Sequence, residues 1–496
     1  MVAVQAEHGA KGLLAGVVGA LLLGSVIAPG TVAAEEIGTA QHAVEAVRAL
    51  IDDGTIEDGA VLRVRVKHGN RASFLGAEGE LRDAWEEATG TTLDISLMPQ
   101  GPSLGTLQDL SDVDLAVARN HEYPDLVREG LIHDLAPLLD RFDMHLPTDG
   151  DEGFFLLDAQ SAHGGSPVAI PADGDIALLY LRQDLLEDER EQRRFRERHG
   201  YELRPPRTWS EYADQLAFFH RPDEGLYGSV EQRDPDEAWM YWLPRFASRA
   251  APDKHLFDDD MRPRIDSRAG IEATRDYLRT LKYAPDGIAE QGAGYDFTLP
   301  YFTRGDAYSM VITVAGAKLF NREEAPIADR YSVHPLPGVE VEGALARRTT
   351  LIYGNNLVVM ADSAHPELAF LYAMWLTAPE ISTQSVAVAG GFADPYRWHH
   401  LDDPAVRSVY GDGPLEALRE SIPLTVPAGT GLPGDHEYLA ALNEALGRAG
   451  RGEIDAREAM EQTAERWEAI TERHGRATQR QHWQRQRALY PETERP

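Results

Sequence analysis

The chain has 496 residues, of which 43% are hydrophobic, and its formal net charge at pH 7 is −33. This length and composition suit a folded protein of two or more domains and exclude a disordered chain. The charge excludes nucleic acid as a partner, because a polyanion needs a basic face that releases its counterions. The chain contains no cysteine, so disulfides, thiol catalysis and cysteine-bound metals are excluded too.

The basic residues are almost all arginine, and lysine occurs only at positions 11, 67, 254, 282 and 318. Salt screens the self-repulsion of such an acidic surface over short distances. We therefore interpret the charge as a halophilic acidic surface, an adaptation to a salty medium rather than a functional feature.

Residues 1–34 are predicted to be a cleaved signal peptide. Lys11 precedes an apolar run over residues 13–28, which is too short and glycine-rich for a membrane span of about 20 residues. The small residues around Ala33 and Ala34 offer a cleavage site. An uncleaved anchor is the alternative, since the same run would serve both. A lipid anchor would need a cysteine, so a freely diffusing periplasmic protein is favoured.

A short amphipathic helix over residues 43–50 is predicted within an N-terminal extension, residues 35–54. Residues 61–66 then alternate apolar and basic side chains, as a half-buried strand does. A helix is predicted over residues 80–89, ended by Gly90, and a second strand over residues 91–97. Strand, helix and strand in this order predict a parallel sheet covered by helices.

A third strand over residues 112–118 and a helix over residues 123–130 continue this pattern. In open α/β sheets, ligands bind beyond the carboxyl ends of the strands. His68, Asn70 and Arg119 therefore become candidate ligand-binding residues by position.

A second block begins at residues 168–171 and continues into an apolar strand over residues 176–181. Helices are predicted over residues 185–199, 210–219, 237–247 and 268–281. Thr208 followed by Glu211 is a capping-box pattern for the second of these helices. No linker rich in proline or serine separates the blocks, so ordinary strands must cross any domain boundary.

The order of several segments resembles the extracellular solute-binding proteins of ABC importers, in the sugar-binding family that includes maltose-binding proteins. The resemblance extends from about residue 61 to residue 468. Its segments include Pro206-Arg207-Thr208-Trp209-Ser210-Glu211, similar to the family's P-x-T-W-x-E signature, and residues 81–90, 130–135, 170–186, 302–310 and 354–380. The N-terminal extension and the arginine-rich C-terminal tail depart from the family pattern.

The resemblance implies an α/β, two-lobed periplasmic-binding-protein fold of type II, with several crossing segments and a ligand cleft between the lobes. Lobe one would comprise residues 55–170 and 349–395, and lobe two residues 171–348 and 396–470. Residues 471–496 would form the tail. Closure of the cleft by hinge bending is the motion expected of periplasmic receptors.

The implied function is to bind a carbohydrate in the periplasm and deliver it to the permease and ATPase subunits of an ABC importer. The ligand would be a mono- or oligosaccharide, a polyol or a glycerol phosphodiester. We expect a monomer without a cofactor. A periplasmic glycoside-active enzyme, a polyamine-type receptor and a sensor subunit of the same fold are the alternatives.

A sugar site needs an aromatic ring under the sugar face and polar groups around its rim. Trp239, Tyr241 and Trp242 form the densest aromatic cluster, with core packing as the alternative interpretation. Asp173 and Asp175 lie at the first crossing into lobe two, although Asp-Gly is also a turn signal. Asn355 and Asn356 lie where the chain re-enters lobe one, with a turn as their alternative.

The loop over residues 390–400 supplies Asp394, Tyr396 and Arg397, with Arg397 expected to pair with Asp394 above a polyol; a purely structural loop is the alternative. Gly316, which matches a family glycine, completes the candidate set. The adjacent His399 and His400 would point to opposite sides of a strand, so we expect no metal site. No nucleophile elbow, zinc-protease motif or phosphate loop occurs, and we expect no enzyme, although carboxylate pairs could be hidden among so many acidic residues.

Overall fold

A computed structural model of the protein describes residues 38–98, 104, 110, 112–253 and 255–491. The predicted signal peptide therefore lies outside the described residues. Residues 38–496 form one unit by their internal contacts. Among the described residues, no helix combines the length and apolar composition that crossing a membrane requires.

Strands and helices alternate along most of the chain. The strands are β1 (Val61–Val66), β2 (Thr92–Leu97), β3 (Leu115–Arg119), β4 (Ala162–His163), β5 (Ser166–Pro167), β6 (Ile170–Pro171), β7 (Leu178–Arg182), β8 (Tyr227–Ser229), β9 (Ala307–Ile312), β10 (Tyr331–His334), β11 (Gly338–Val341), β12 (Ala344–Arg347), β13 (Thr349–Thr350), β14 (Asn355–Val359) and β15 (Thr425–Val426). The helices are α1 (Thr39–Asp52), α2 (Arg71–Leu75), α3 (Glu80–Thr89), α4 (Tyr123–Arg128), α5 (Ala136–Arg141), α6 (Leu157–Ser161), α7 (Gln183–Glu187), α8 (Glu189–His199), α9 (Trp209–Phe219), α10 (Ala238–Arg249), α11 (Arg268–Arg279), α12 (Tyr295–Arg304), α13 (Gly316–Phe320), α14 (Pro366–Leu376), α15 (Pro379–Val386), α16 (Pro404–Tyr410), α17 (Asp412–Ser421), α18 (Asp435–Gly450), α19 (Ala456–His474) and α20 (Arg476–Ala488).

The first lobe is built on a five-stranded sheet in the order β2-β1-β3-β14-β6. β1 pairs in parallel with β2 and β3, and β14 runs antiparallel between β3 and β6. The predicted strand 61–66 and helix 80–89 are confirmed at both ends. In the core, Trp85 of α3 packs against Tyr372 and Trp375 of α14, with ring centroids 5.1 and 5.3 Å apart.

The N-terminal extension belongs to this first core. Ala40, Ala43, Val47 and Leu50 form one buried face of α1 and join the cluster that contains α14. A buried face of this kind supplies most of the stability of a helix in a folded protein. The extension is therefore part of the fold rather than an appendage.

The second lobe is built on a four-stranded sheet in the order β10-β7-β9-β8. The helix predicted over residues 185–199 is two helices, α7 and α8. Asp188 separates them because its carboxylate accepts hydrogen bonds from the Arg190 and Glu191 backbone N–H groups and begins α8. Thr208 caps α9 through the Glu211 N–H, as its pattern predicts.

The C-terminal helices α18, α19 and α20 complete the second core. Trp483 of α20 is buried against Phe257, with ring centroids 5.3 Å apart, and Arg480 pairs with Asp260 at 2.9 Å. The arginine-rich tail is thus helical through Ala488 and packs on the lobe.

The lobes are joined by adjacent crossing segments, which include the connections β6–β7 and β13–β14. An ideal Cβ on Gly174 would lie 1.7 Å from the Pro395 carbonyl oxygen. Only glycine allows the β6–β7 connection to approach the loop after α15 so closely.

Candidate functional site

A cavity of about 640 Å³ lies between the two sheets. Its first wall comes from the first lobe and contains Lys67, His68, Gly69, Asn70, Met98 and Arg119. The opposite wall contains Gln232, Asp234, Asp236, Glu237, Tyr295, Asp296, Leu299 and Thr313. Asp173, Asp175, Tyr353 and Asn355 contribute from the crossing segments, and Phe392 from the loop after α15.

The first wall follows from the topology of the sheet. Lys67 to Asn70 come directly after β1, Met98 follows β2, and Arg119 ends β3. These strands are neighbours and parallel, so their carboxyl ends meet at one edge. The structure places the predicted residues His68, Asn70 and Arg119 there.

An ion pair crosses the cavity between the lobes. Arg119 Nη2 lies 3.1 Å from Glu237 Oε1, and both side chains are mostly buried. Tyr353 donates a hydrogen bond to Glu237 Oε2 at 2.9 Å, and the Arg119 guanidinium lies 4.7 Å from the centre of the Tyr353 ring. Burial acts to lower the pKa of Arg119, but Glu237, Tyr353 and Glu122 together outweigh it and raise that pKa above its ordinary value.

Asp173 is the hydrogen-bond hub at the floor of the cavity. Its Oδ1 accepts from the backbone N–H of Asp394 at 2.7 Å, and its Oδ2 accepts from Asn70 at 2.9 Å and Asn355 at 3.2 Å. Asn355 also donates to Asp175 at 3.0 Å. Asp173, in the connection β6–β7, therefore links β14 and the loop after α15 to the end of β1.

Burial raises the pKa values of these carboxyl groups. Asp175 and Asp394 are shifted well above the ordinary value, by burial first and then by the charge of Asp173. Burial also raises the pKa of Asp173, and the hydrogen bonds to this carboxylate offset part of the rise. Like charges in a buried site disfavour full ionisation, so a proton is shared within the group.

Lys318 holds the loop beneath this floor. Its ammonium donates to the backbone carbonyls of Val386, Val388, Gly391 and Ala393 at 2.6 to 3.2 Å. Burial lowers its pKa to about 8, although Asp394 and Asp173 oppose this. The charge of Lys318 thus acts on the carboxylates while its hydrogen bonds go to the main chain.

The predicted aromatic cluster lies outside the cavity. Trp239, Tyr241 and Trp242 are at most 2% exposed, within a helix α10 that is buried on all sides. Trp242 donates to Thr274 at 2.8 Å, and Tyr241 donates to Gln232 at 3.1 Å. The structure therefore places these residues in the core, and Tyr241 touches the cavity wall through its hydroxyl contacts with Gln232 and Tyr295.

Asn356 and Gly316 are also placed in the interior. The Asn356 amide donates to Tyr123 and to the Gln160 carbonyl at 2.9 and 3.0 Å. A Cβ on Gly316 would lie 2.9 Å from Ile312 Cγ2, so this glycine lets α13 pack against β9. Neither residue lines the cavity.

The loop after α15 contains no ion pair between Arg397 and Asp394. Arg397 instead donates to the Thr377 carbonyl at 2.9 and 2.6 Å, and its guanidinium lies 3.6 Å from the centre of the Phe154 ring. Tyr396 stacks on the same ring, with centroids 6.0 Å apart. Arg397 and Tyr396 are structural here, whereas Asp394 lies beside Asp173 and Asp175.

Sequence reasoning missed Glu237, Tyr353, Tyr295 and Phe392 as parts of the wall. The sequence indicates Glu237 only as the first residue of a predicted helix. The signal for Phe392 was present, because it lies in the glycine- and aromatic-rich loop, and its side chain is 37% exposed at the cavity. An exposed phenylalanine in a cavity offers an apolar face to a ligand.

The cavity as a whole offers carboxylates, amides, one guanidinium and three aromatic rings. Such a lining can bind a small molecule that carries many hydroxyl groups and a few C–H faces. It has the size range of small-molecule sites, about 300–1,000 Å³.

Two solved structures of two-lobed solute-binding proteins resemble this chain. A ribitol complex of an ABC transporter solute-binding protein from Agrobacterium radiobacter K84 matches with a TM-score of 0.66 and 18% identity, over 84% of this chain and 100% of that one. Maltose-bound MalE3 of T. maritima matches with a TM-score of 0.67 and 20% identity, over 83% and 100% of the two chains. These similarities confirm the predicted two-lobed α/β fold.

A curated relative, the mannitol-binding protein of Pseudomonas aeruginosa strain PAO1, is 24% identical over 218 residues. The match spans 43% of this chain and less than half, 46%, of that relative. Residues 80–397, more than half of the chain, match the family model of the bacterial extracellular solute-binding proteins. The chain belongs to the bacterial extracellular solute-binding protein family.

Proposed function

We propose that this protein is the periplasmic receptor of an ABC importer and that it binds a polyol or a sugar in the cavity between its lobes. The observation that carries the proposal is the hydrogen-bonding lining contributed by both lobes and by the crossing segments. A ligand held from both sides stabilises the closed arrangement, because each lobe gains contacts only when the cleft is shut.

The relatives support this ligand class. Solved neighbours contain ribitol, maltose and, in a protein from Agrobacterium vitis S4, D-mannitol. In this chain, Asp175 and Asn355 are the proposed partners for hydroxyl groups, with His68, Asn70 and Arg119 on the opposite face. Phe392 would contact the C–H surface.

The proposal includes export by a cleaved signal peptide, docking to a permease and its ATPase, and action as a monomer. The acidic surface would then suit a saline periplasm. The proposed function does not include catalysis, so an oligosaccharide incubated with the protein should be recovered intact.

The test is isothermal titration calorimetry of the mature protein with ribitol, mannitol and maltose. Asp175→Asn should weaken binding of the solute by about tenfold, because an amide offers only one of the two acceptor oxygens of the carboxyl group. Asp83→Asn on the exposed face of α3 should leave the affinity unchanged. Absence of binding to any sugar or polyol would overturn the proposal.

A polyamine is the second candidate, and the acidic lining favours it. Asp234, Asp236 and Asp296 lie on one wall, while Lys67 and Arg119 are the cations of the other. Spermidine and putrescine therefore belong in the same titration series. Binding of these amines without binding of polyols would assign the cleft to a cationic solute.

A further inference from the structure

The floor of the cavity contains three carboxylates in close contact. One oxygen atom from each of Asp173, Asp175 and Asp394 lies within 4.8 Å of the other two. The three residues are 1%, 3% and 0% exposed. Groups of this kind are almost never buried without a compensating partner.

The hydrogen bonds to this trio come from neutral groups. Asn70, Asn355 and the Asp394 backbone N–H are the donors to Asp173, and Asn355 is a donor to Asp175. Within the described residues, neither carboxylate oxygen of Asp394 receives a hydrogen bond of ordinary geometry. Thr313 and the Ala315 N–H lie close enough to lower the pKa of Asp394 by hydrogen bonding, although neither contact has ordinary hydrogen-bond geometry. The trio therefore keeps acceptor capacity for a further partner.

The nearby cations do not balance the three charges. Lys318 supplies one positive charge but donates to four main-chain carbonyls. Lys67 acts on Asp175 from the first wall, where burial lowers its pKa to about 8. Arg119 also acts on Asp175, but it is paired with Glu237. Even with both lysines charged, three ionised carboxylates outnumber them by one, and without a further cation a proton shared within the trio makes up the difference.

We propose that Asp173, Asp175 and Asp394 bind a Ca²⁺ ion at the cavity floor and that hydroxyl groups of the solute complete its coordination. Ca²⁺ binds oxygen ligands at about 2.3–2.6 Å, so carboxylate oxygens separated by up to about 5 Å can share one ion. Asp173 and Asp175 line the cavity, which leaves the remaining coordination positions facing a bound ligand.

The donor set selects the class of metal. All three groups are carboxylates, and such hard oxygen ligands suit Ca²⁺, Mg²⁺ or Mn²⁺ rather than a soft transition metal. Mg²⁺ demands near-ideal octahedral geometry and keeps its waters, whereas Ca²⁺ accepts six to eight ligands in an irregular shell. Three carboxylates and a pair of vicinal hydroxyls fit the second pattern.

The first experiment needs no solute. The mature protein, freed of metals with a chelator, is titrated with CaCl₂ in a calorimeter. We expect one Ca²⁺ per chain, with affinity at least about tenfold weaker in Asp394→Asn and Asp175→Asn, because fewer charged ligands remain. Asp83→Asn, a control at an exposed carboxylate of α3 outside the cavity, should bind Ca²⁺ as the wild type does. Circular dichroism checks that each variant is folded.

The absence of Ca²⁺ binding, or equal binding by Asp394→Asn, would overturn the metal site. The involvement of the solute rests on the proposed function and is measured separately, by titrating mannitol and ribitol with Ca²⁺ and with EDTA. A rise in polyol affinity of at least about tenfold with Ca²⁺ supports the inference. Equal polyol binding in EDTA overturns the coordination of solute but leaves the receptor function intact.

If no polyol binds under either condition, the proposed ligand class fails, and the CaCl₂ titration still decides the metal site. If an amine binds without Ca²⁺ and loses affinity in Asp394→Asn, the trio binds the ammonium group of the solute, and the metal site is overturned.

Discussion

Arg119 at the end of β3 and Glu237 at the start of α10 form an ion pair across the cavity, 3.1 Å between Nη2 and Oε1. The two residues belong to different lobes and are 118 positions apart in the chain. Tyr353 from a crossing segment donates to the same carboxylate. This network joins the two walls of the cavity to a crossing segment, so a ligand bound in the cavity would lie against the side chains that connect the lobes.

A double-mutant cycle should show this coupling. Arg119→Met and Glu237→Gln are each expected to lower the free energy of unfolding by about 1–3 kcal/mol, because each leaves a mostly buried polar partner behind. The double variant should lose less than the sum, with a coupling of about 1 kcal/mol or more. Urea denaturation measures all four proteins. The exposed pair Arg82 and Asp83 is the control, and its cycle should be additive. Additive losses at Arg119 and Glu237 would refute the coupling.

Local patterns predicted the elements of the first sheet well. Residues 61–66 and 80–89 carry their own periodicity and end signals, so their bounds follow from neighbours in the sequence. The carboxyl ends of β1 and β3 were likewise placed correctly, because parallel strands fix which edge binds ligands. Glu237 had no such signal, since its role depends on Arg119, which folding brings to it.

The aromatic cluster shows why composition alone misleads. Residues 239–242 suit a sugar-binding face, but the fold buries α10 on nearly all sides, Arg245 included, so its aromatic rings pack in the core. The contact between the three carboxylates could not be predicted from the sequence. Asp394 is 221 residues from Asp173, so no rule of local spacing brings them together. The expectation of no metal site therefore rested on sequence neighbours alone, without the contacts that the fold supplies.

A second contact between the lobes should respond to pH. Asp125 of α4 accepts from the ring of His436 at 2.6 Å and from the Gly434 N–H at 2.8 Å, next to the start of α18. The hydrogen bond with Asp125 raises the pKa of His436. Burial acts against the charge of Asp125, yet His436 and the backbone N–H groups lower its pKa to about 2.

The two shifts define a window of pH. The stabilisation from a raised histidine pKa is complete below about pH 6.5 and is lost as the pH rises through the raised value. The stabilisation from a lowered aspartate pKa is complete above about pH 4 and is lost as the pH falls towards 2. His436→Ala should therefore lower the melting temperature most near pH 5 and least above pH 8. If His436→Ala lowers the melting temperature equally at pH 5 and above pH 8, the contact does not depend on charge. His42→Ala on α1 is the control.

The close approach at Gly174 predicts a large penalty for one methyl group. A Cβ at this position would lie 1.7 Å from the Pro395 carbonyl oxygen and 3.2 Å from the Phe155 ring. Gly174→Ala should lower the free energy of unfolding by about 1–3 kcal/mol, because the β6–β7 connection and the loop after α15 must separate to make room for the methyl group. Gly413→Ala is the matched control, since a Cβ there meets nothing within 4 Å, and it should stabilise the protein by about 0.4–1 kcal/mol. Chemical denaturation compares them, and equal effects would contradict the packing argument.

Lys318 should contribute to stability through the main chain of the loop rather than through an ion pair. Lys318→Met keeps the length of the side chain but removes the donor to four carbonyls between Val386 and Ala393. We expect a loss of about 2–4 kcal/mol in the free energy of unfolding, the desolvation cost of one or two buried carbonyls left without a donor. Lys282→Met on an exposed position is the control and should change stability by less than about 0.5 kcal/mol. Hydrogen exchange should also show faster exchange of the Gly391 and Ala393 amides in Lys318→Met, because these residues lose their anchor. Unchanged exchange together with unchanged stability would mean that the ammonium is dispensable to the loop, and that the floor of the cavity is held by Asp173 and its amide donors alone.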